Sequence, residues 1–246
     1  MFSRRLLLAA AALPAAPRLL RAAEPLVLWG PPAAPALVLL RAVADGSLRD
    51  LAPEVTFRAW RNPDEMRAGI GSGTMGAVVV PSTVAANLHN RGLGLRLVNV
   101  LTDGLLTIVA PPGQVKDIAG LRGKKVTVPF RNDMPDLVLR RLLAGAGMTG
   151  ADLTLDHSGT AIEAVQMMVL GRAEAALLSE PATTGAVMRA AGFGRPLERA
   201  VDTRLAWQAL TGRAALPQAG LVVTDRLVAQ IGEPAVARIQ QVLETA

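Results

Sequence analysis

Cysteine and tyrosine are both missing from the 246 residues. Without cysteine there can be no disulfide, no thiolate metal site and no cysteine nucleophile. Aromatic rings are scarce, with four Phe and three Trp, which is poor material for stacking nucleic-acid bases. No apolar run approaches the ~20 residues of a membrane-spanning helix. A basic stripe is missing as well, although the sequence pI is about 11.0. Arg4, Arg5, Arg18 and Arg21 all precede the first carboxylate, Glu24. Without those four, 22 basic residues face 20 acidic ones and the net charge falls from +6 to +2. The remaining arginines are scattered, so nucleic acid is not expected as a partner.

Catalytic signatures are also lacking. His89 and His157 stand far apart with no companions at metal-ligand spacing, so no metal is expected. His157 follows a predicted strand and suits a hydrogen-bonded structural role. There is no Ser-His-Asp set and no paired carboxylate. Gly30 and Gly71-Ser72-Gly73 build neither a dinucleotide fingerprint nor a phosphate loop. No cofactor and no enzymatic activity are expected.

The amino terminus carries a signal. Ser3-Arg4-Arg5 leads into Leu6-Leu7-Leu8 and Ala9 to Ala12, a short, mildly apolar stretch. This reads as an export signal over residues 1–23, with cleavage near Ala22 or Ala23. The arginine pair, the alanine-rich run and Arg18 and Arg21 beyond it suit the twin-arginine route, with the general secretory route as the alternative. The mature chain then begins near Glu24, in the periplasm or its equivalent. An exported chain without disulfides must be held by its core. About half of this sequence is hydrophobic, enough for one large or two small lobes.

One pattern occurs twice. The first copy runs from Asp64 to Ile70, through Gly71-Ser72-Gly73, into Ala77-Val78-Val79-Val80 and then Pro81-Ser82-Thr83. The second runs from Thr160 to Met168, through Gly171, into Ala175-Ala176-Leu177-Leu178 and then Glu180-Pro181-Ala182-Thr183-Thr184. Each copy reads helix, glycine stop, buried strand, proline-led turn, helix. Two such units suggest two similar lobes with a cleft between them.

The rest of the chain alternates in the same way. Leu26 to Trp29, Val55 to Trp60, Leu95 to Val100, Leu105 to Ala110, Val126 to Val128, Leu153 to Leu155 and Gly220 to Val223 read as strands. Ala36 to Ala44, a segment opened by Asn62-Pro63, Pro135 to Leu143 and a segment opened by Glu233-Pro234 read as helices. Arg195 to Arg213 shows no clear element. Pro111-Pro112-Gly113 is the strongest boundary signal. Strands alternating with helices predict doubly wound parallel sheets. The expected organisation is a first lobe over 24–111, a second over 112–203 and a return crossover to the first over 204–246.

Three segments carry a family resemblance. Asp117-Ile118-Ala119-Gly120-Leu121-Arg122-Gly123-Lys124-Lys125-Val126-Thr127-Val128 looks like the entry to a second lobe. Leu170-Gly171-Arg172-Ala173-Glu174-Ala175-Ala176-Leu177-Leu178-Ser179-Glu180-Pro181 is similar to a "G-x-x-D-A … E-P" stretch, with Glu174 where Asp is usual. Leu216 to Val223 resembles the strand returning to the first lobe. The mature chain as a whole resembles the periplasmic solute-binding proteins of ABC importers, of the nitrate/sulfonate/taurine and thiamine-pyrimidine type. Members of that family usually continue for several more helices than this chain does.

The resemblance implies an α/β, two-lobed periplasmic binding protein, type II-like, each lobe a doubly wound sheet with helices on both faces. It implies a monomer that closes on a small-molecule ligand and is read by an ABC permease in the membrane. Two alternatives share the fold: an enzyme such as a lyase or a thiamine-pyrimidine synthase, and a binding lobe that reports to a signalling partner.

Loops ending the strands supply the candidate ligand-binding residues. Trp29, Gly30 and Pro31 follow the first strand, and the indole can stack on a planar ligand or sit in the core. Ser82 and Thr83 offer hydroxyls and amides at a helix start, or simply cap it. Phe130, Arg131 and Asn132 form the second lobe's counterpart loop. Arg131 suits an anionic group and equally suits pairing with Asp133 or Asp136. Ser158 and Thr160 sit at another helix start. Glu180 can accept from a ligand donor or cap the following helix.

Overall fold

The computed structural model describes residues 24–245. The export signal therefore lies outside the described residues. Eleven strands form two sheets among these residues. The first contains β1 (Leu26–Gly30), β2 (Val55–Ala59), β3 (Ala77–Pro81), β4 (Leu95–Leu97), β5 (Thr102–Asp103) and β11 (Pro217–Thr224). The second contains β6 (Leu106–Ala110), β7 (Lys125–Pro129), β8 (Thr154–Ser158), β9 (Ala175–Ser179) and β10 (Glu198–Asp202).

The strand orders explain the repeated pattern. The first sheet runs β2-β1-β3-β11-β4, with β5 also paired to β11, and the second runs β10-β6-β9-β7-β8. In each, a central strand is parallel to two neighbours: β1 to β2 and β3, β7 to β8 and β9. In each, the strand of the repeat then pairs with an antiparallel strand, β3 with β11 and β9 with β6. The two repeat strands thus hold equivalent places. Both are buried on both faces, as their unbroken apolar runs require. Helices flank them alike: α2 (Pro63–Ser72) and α3 (Ser82–Asn90) around β3, α5 (Ala161–Val169) and α6 (Ala182–Gly192) around β9.

Local chemistry sets these elements. Asn62 caps α2, accepting from the Glu65 N–H at 2.9 Å, with Pro63 in the first turn and Gly73 closing it at φ 78°. Apolar clusters lie on both faces of each sheet. Leu28, Leu39, Val79, Leu221 and Ile239 cover one face of the first and Trp60, Met66, Val78 and Val222 the other. Ile108, Val126, Leu139 and Leu177 cover one face of the second and Val109, Val165, Ala176 and Leu178 the other. Burial of each such Val or Leu contributes about 1.5–3 kcal/mol.

Four sequence expectations need correction. The sheets are mixed rather than wholly parallel, because β6 and β11 each enter from the opposite lobe and run against their neighbours. The strand before Pro111 belongs to the second sheet, so the chain crosses between Asp103 and Leu106, not after Ala110. The stretch from Arg195 to Arg213 holds the edge strand β10 and the helix α7 (Thr203–Thr211). Asp202 caps α7, and Gly212 ends it at φ 72°. Because α7 packs on α4 (Met134–Gly145), the first part of the 204–246 segment still belongs to the second lobe.

The two crossings lie side by side. The Gly104 N–H donates to Leu216 O at 3.1 Å, the Leu216 N–H donates to the Asp103 carboxylate, and the Leu105 N–H donates to Gln218 Oε1. The chain finishes in α8 (Asp225–Ile231) and α9 (Glu233–Thr245), the latter packed on α1 (Leu37–Ala44) of the first lobe.

Candidate functional site

Loops at the ends of β1, β2, β3, β7, β9 and the crossing strands meet around a cleft of about 100 Å³. Its walls come from both lobes. Pro31, Pro35, Trp60, Val80 and Pro81 face it from the first, and Leu106, Phe130, Met134 and Ser179 from the second. Gln218 lines it from the returning strand β11. The walls are almost wholly apolar, which suits a pocket that excludes water around a small molecule.

Trp60 is fixed by its own polar atoms. Its indole N–H donates to Val79 O at 3.1 Å, and its backbone N–H donates to Gly30 O at 3.0 Å. Gly30 itself packs closely on Phe57 and Ala36, since a Cβ there would stand 3.1 Å from the Phe57 ring and 3.2 Å from Ala36 Cβ.

Two direct contacts join the lobes across the cleft. Arg67 of α2 donates to Asp133 Oδ2 at 2.8 Å, and the Ala34 N–H donates to Glu180 O at 3.0 Å. The Asp133 side chain is only 3 % exposed. Its other oxygen accepts the Met134 N–H at 2.8 Å and caps α4. These two contacts bridge the lobes across the cleft.

The loop from Phe130 to Asp133 departs from ordinary backbone geometry. Phe130 has φ 63° and Asn132 φ 59°. A bulky side chain in the left-handed region is strained by about 1–3 kcal/mol, and such strain collects at functional sites. Asp136, fully buried, holds the loop in place. It accepts the Asn132 N–H at 2.9 Å and Arg140 Nε at 2.9 Å, and His157 Nε2 stands 3.2 Å from the same oxygen as Arg140. Burial alone pushes this carboxyl up. The Asn132 amide, Arg140 and His157 outweigh burial and hold it below its usual range.

Of the residues expected from sequence, Pro31 and Phe130 line the cleft. Trp29 does not; it packs against the cluster of Trp60 and Met66, with Arg58 5.9 Å over its ring. Trp60 is the indole among the cleft walls. Arg131 and Asn132 are exposed at the loop, outside the cleft walls. Ser82 donates to Pro217 O at 2.8 Å, tying α3 to the returning strand, and Thr83 beside it is half-buried. Thr160 caps α5, accepting the Glu163 N–H at 3.1 Å, and Ser158 is buried with its carbonyl on the Phe130 N–H at 3.0 Å.

The Glu180 side chain accepts from the Thr184 N–H, the Thr184 hydroxyl and Arg199. Burial raises its carboxyl, while Arg199 and Thr184 lower it by more and leave it below its usual range. It is thus the capping carboxylate of α6, and only its carbonyl reaches the other lobe.

Sequence reading missed Trp60, Asp133, Gln218 and Arg67. Asp133 had a visible signal, an acidic residue two before Pro135, which is a helix-cap signature. Among the described residues, no group of three His, Asp or Glu is placed to hold a metal.

Phe130→Gly separates the two roles of this loop. Relief of the left-handed backbone offsets the entropy cost of glycine, so the melting temperature should change little or rise slightly. The cleft loses an aromatic wall, and ligand affinity should fall by tenfold or more. Differential scanning calorimetry beside titration calorimetry checks both. A large loss of stability would show that the ring's packing outweighs the strain.

No protein-family model matches the chain, and no curated protein matches it in sequence. Solved structures do match in fold. An ABC transporter protein from Parabacteroides distasonis superposes with TM-score 0.70 at 19 % identity, over 89 % of this chain and 71 % of that one. The periplasmic aliphatic sulphonate binding protein of Escherichia coli gives 0.66 at 15 %, over 90 % and 71 %. A Prochlorococcus marinus protein in complex with methylphosphonate gives 0.60 at 13 %, over 89 % and 83 %. The fold these neighbours share with this chain is the two-lobed periplasmic binding protein fold.

Proposed function

We propose that the chain is the exported solute-binding component of an ABC importer. It captures a small organic molecule between its lobes and delivers it to a membrane permease. The observation that carries this reading is the cleft itself. Two equivalent α/β lobes, joined by a paired double crossing, enclose a nearly apolar pocket whose walls come from both. No step of bond cleavage is needed, and no nucleophile–base pair lines the cleft among the described residues. Neighbours of the same fold take a sulphonate or a methylphosphonate, and a small organic solute is the class proposed here. The arginine pair before the apolar run at the amino terminus supports export, by the twin-arginine or general secretory route, and so a periplasmic location. The protein acts as a monomer.

Ligand binding in this scheme shifts an open–closed population. Small-angle scattering of the mature protein, with and without a small-molecule extract whose bound component is read by native mass spectrometry, tests it. The expected result is a bound small molecule and a smaller radius of gyration. A protein that retains nothing from the extract and keeps one set of dimensions would overturn the reading.

A further inference from the structure

The cleft walls constrain the charge of whatever they enclose. We infer that the ligand is small and uncharged, an apolar body of about ring size with a single hydrogen-bond acceptor. This rests on the capture reading above and narrows it.

Size comes first. A cavity of about 150 Å³ lined by apolar side chains holds a benzene-sized guest. The cleft in this arrangement of the lobes is about 100 Å³, which matches a ligand body of about a small ring.

Charge comes next. Asp133 is the one ionisable residue among the cleft walls. Both its oxygens are committed, one to the Met134 N–H and one to Arg67. An anion in the cleft would lie beside this buried carboxylate. It would also need a cation within the cleft: Arg67 is engaged with Asp133 and Asp64, Arg199 with Glu180 and Thr184, and Arg131 is exposed outside the cleft walls. A cationic ligand would have to displace Arg67 from Asp133 and leave the guanidinium without its partner. Either charge, desolvated without a free counter-charge, is disfavoured by several kcal/mol.

Polarity comes last. Gln218 is 3 % exposed. Its Oε1 accepts the Leu105 N–H, which fixes the orientation of the amide. Its Nε2 is buried and has no hydrogen-bond partner among the described residues. A buried donor left unpaired is costly, and a ligand acceptor at the Gln218 end of the cleft relieves it. Ser179, also on the wall, is a polar residue without charge. The Trp60 indole N–H is already spent on Val79 O. The cleft therefore asks for one acceptor and no ion.

Three probes of similar bulk separate the charge classes: cyclopentanone, methanesulfonate and the cyclopentylammonium ion. Titration calorimetry on the mature wild-type protein should give cyclopentanone a dissociation constant at least tenfold below the other two. Gln218→Glu keeps an acceptor for the Leu105 N–H and removes the spare donor. In a variant that retains the wild-type circular dichroism spectrum, cyclopentanone binding should weaken by at least tenfold.

Tighter binding of methanesulfonate or cyclopentylammonium than of cyclopentanone overturns the uncharged class and leaves capture standing. Equal silence of all three probes also overturns it, while capture is decided separately by the scattering and mass measurement on the extract. Unchanged cyclopentanone binding in Gln218→Glu overturns the assignment of the acceptor to Gln218, and the wild-type panel decides the charge class even if that variant does not fold.

Discussion

Asp136→Ala should destabilise the protein by about 2–3 kcal/mol, solvent screening at the half-exposed Arg140 included, and lower its melting temperature by roughly 5–10 °C. The side chain is fully buried and accepts from the Asn132 amide and Arg140, with His157 close by. Removing it takes from the Asn132 N–H and from Arg140 their shared carboxylate and leaves a small cavity at the base of the loop. The loss extends to the cleft, because the Asn132 contact holds the left-handed turn that presents Phe130 and Asp133. Acid should have the same effect more gently. The folded carboxyl is held below its unfolded value, so its contribution is complete above the ordinary carboxylate range and is lost as pH falls through the folded pKa. Calorimetric melts of wild type and variant between neutral pH and about pH 3 check both statements. Wild type should lose stability faster than the variant at the acid end. Parallel curves would show that another group carries the acid sensitivity.

The fold was more legible than the site, for a physical reason. Strands buried on both faces announce themselves as unbroken apolar runs, and Ala77 to Val80 and Ala175 to Leu178 did so twice. Caps are equally local: Asn62-Pro63 opened a helix in sequence and in structure. The edge strand β10, Glu198-Arg199-Ala200-Val201-Asp202, carries charge because one side meets solvent, and so it showed no strand signature. Helix α7 was readable in retrospect. Thr203, Ala206, Trp207 and Leu210 fall on one helical stripe against the second-lobe core.

Cleft residues are different. Trp29 and Trp60 both lie at the ends of first-lobe strands, and the sequence cannot say which indole lines the cleft; that depends on strand register and on the turn after each strand. Arg67 and Asp133 are separated by 66 residues, and nothing in either local sequence shows that they meet.

That meeting carries the second large effect expected. Arg67→Met keeps an apolar stem of similar reach and removes the guanidinium that crosses the cleft. Asp133 would then remain buried with the Met134 N–H as its one hydrogen-bond donor of the two present now. Breaking a desolvated charge pair typically costs about 2–5 kcal/mol. Arg67 is 38 % exposed, so solvent screening trims this to about 1–2 kcal/mol. The closed form loses that amount and the open form does not, which shifts the ligand-free population toward open by roughly five- to thirtyfold. Scattering should show the ligand-free variant expanded relative to wild type, and wild type should expand toward it as salt is raised. Asp133→Asn separates the latch from the helix cap. Asparagine caps as well as aspartate does, so α4 keeps its start while the charge pair is lost. Both variants should open, and both should melt within a few degrees of wild type, because each lobe keeps its own core. Unchanged dimensions in both would mean that the Ala34–Glu180 backbone contact and the apolar walls hold the lobes together, and that Arg67 lies across the cleft without holding it shut.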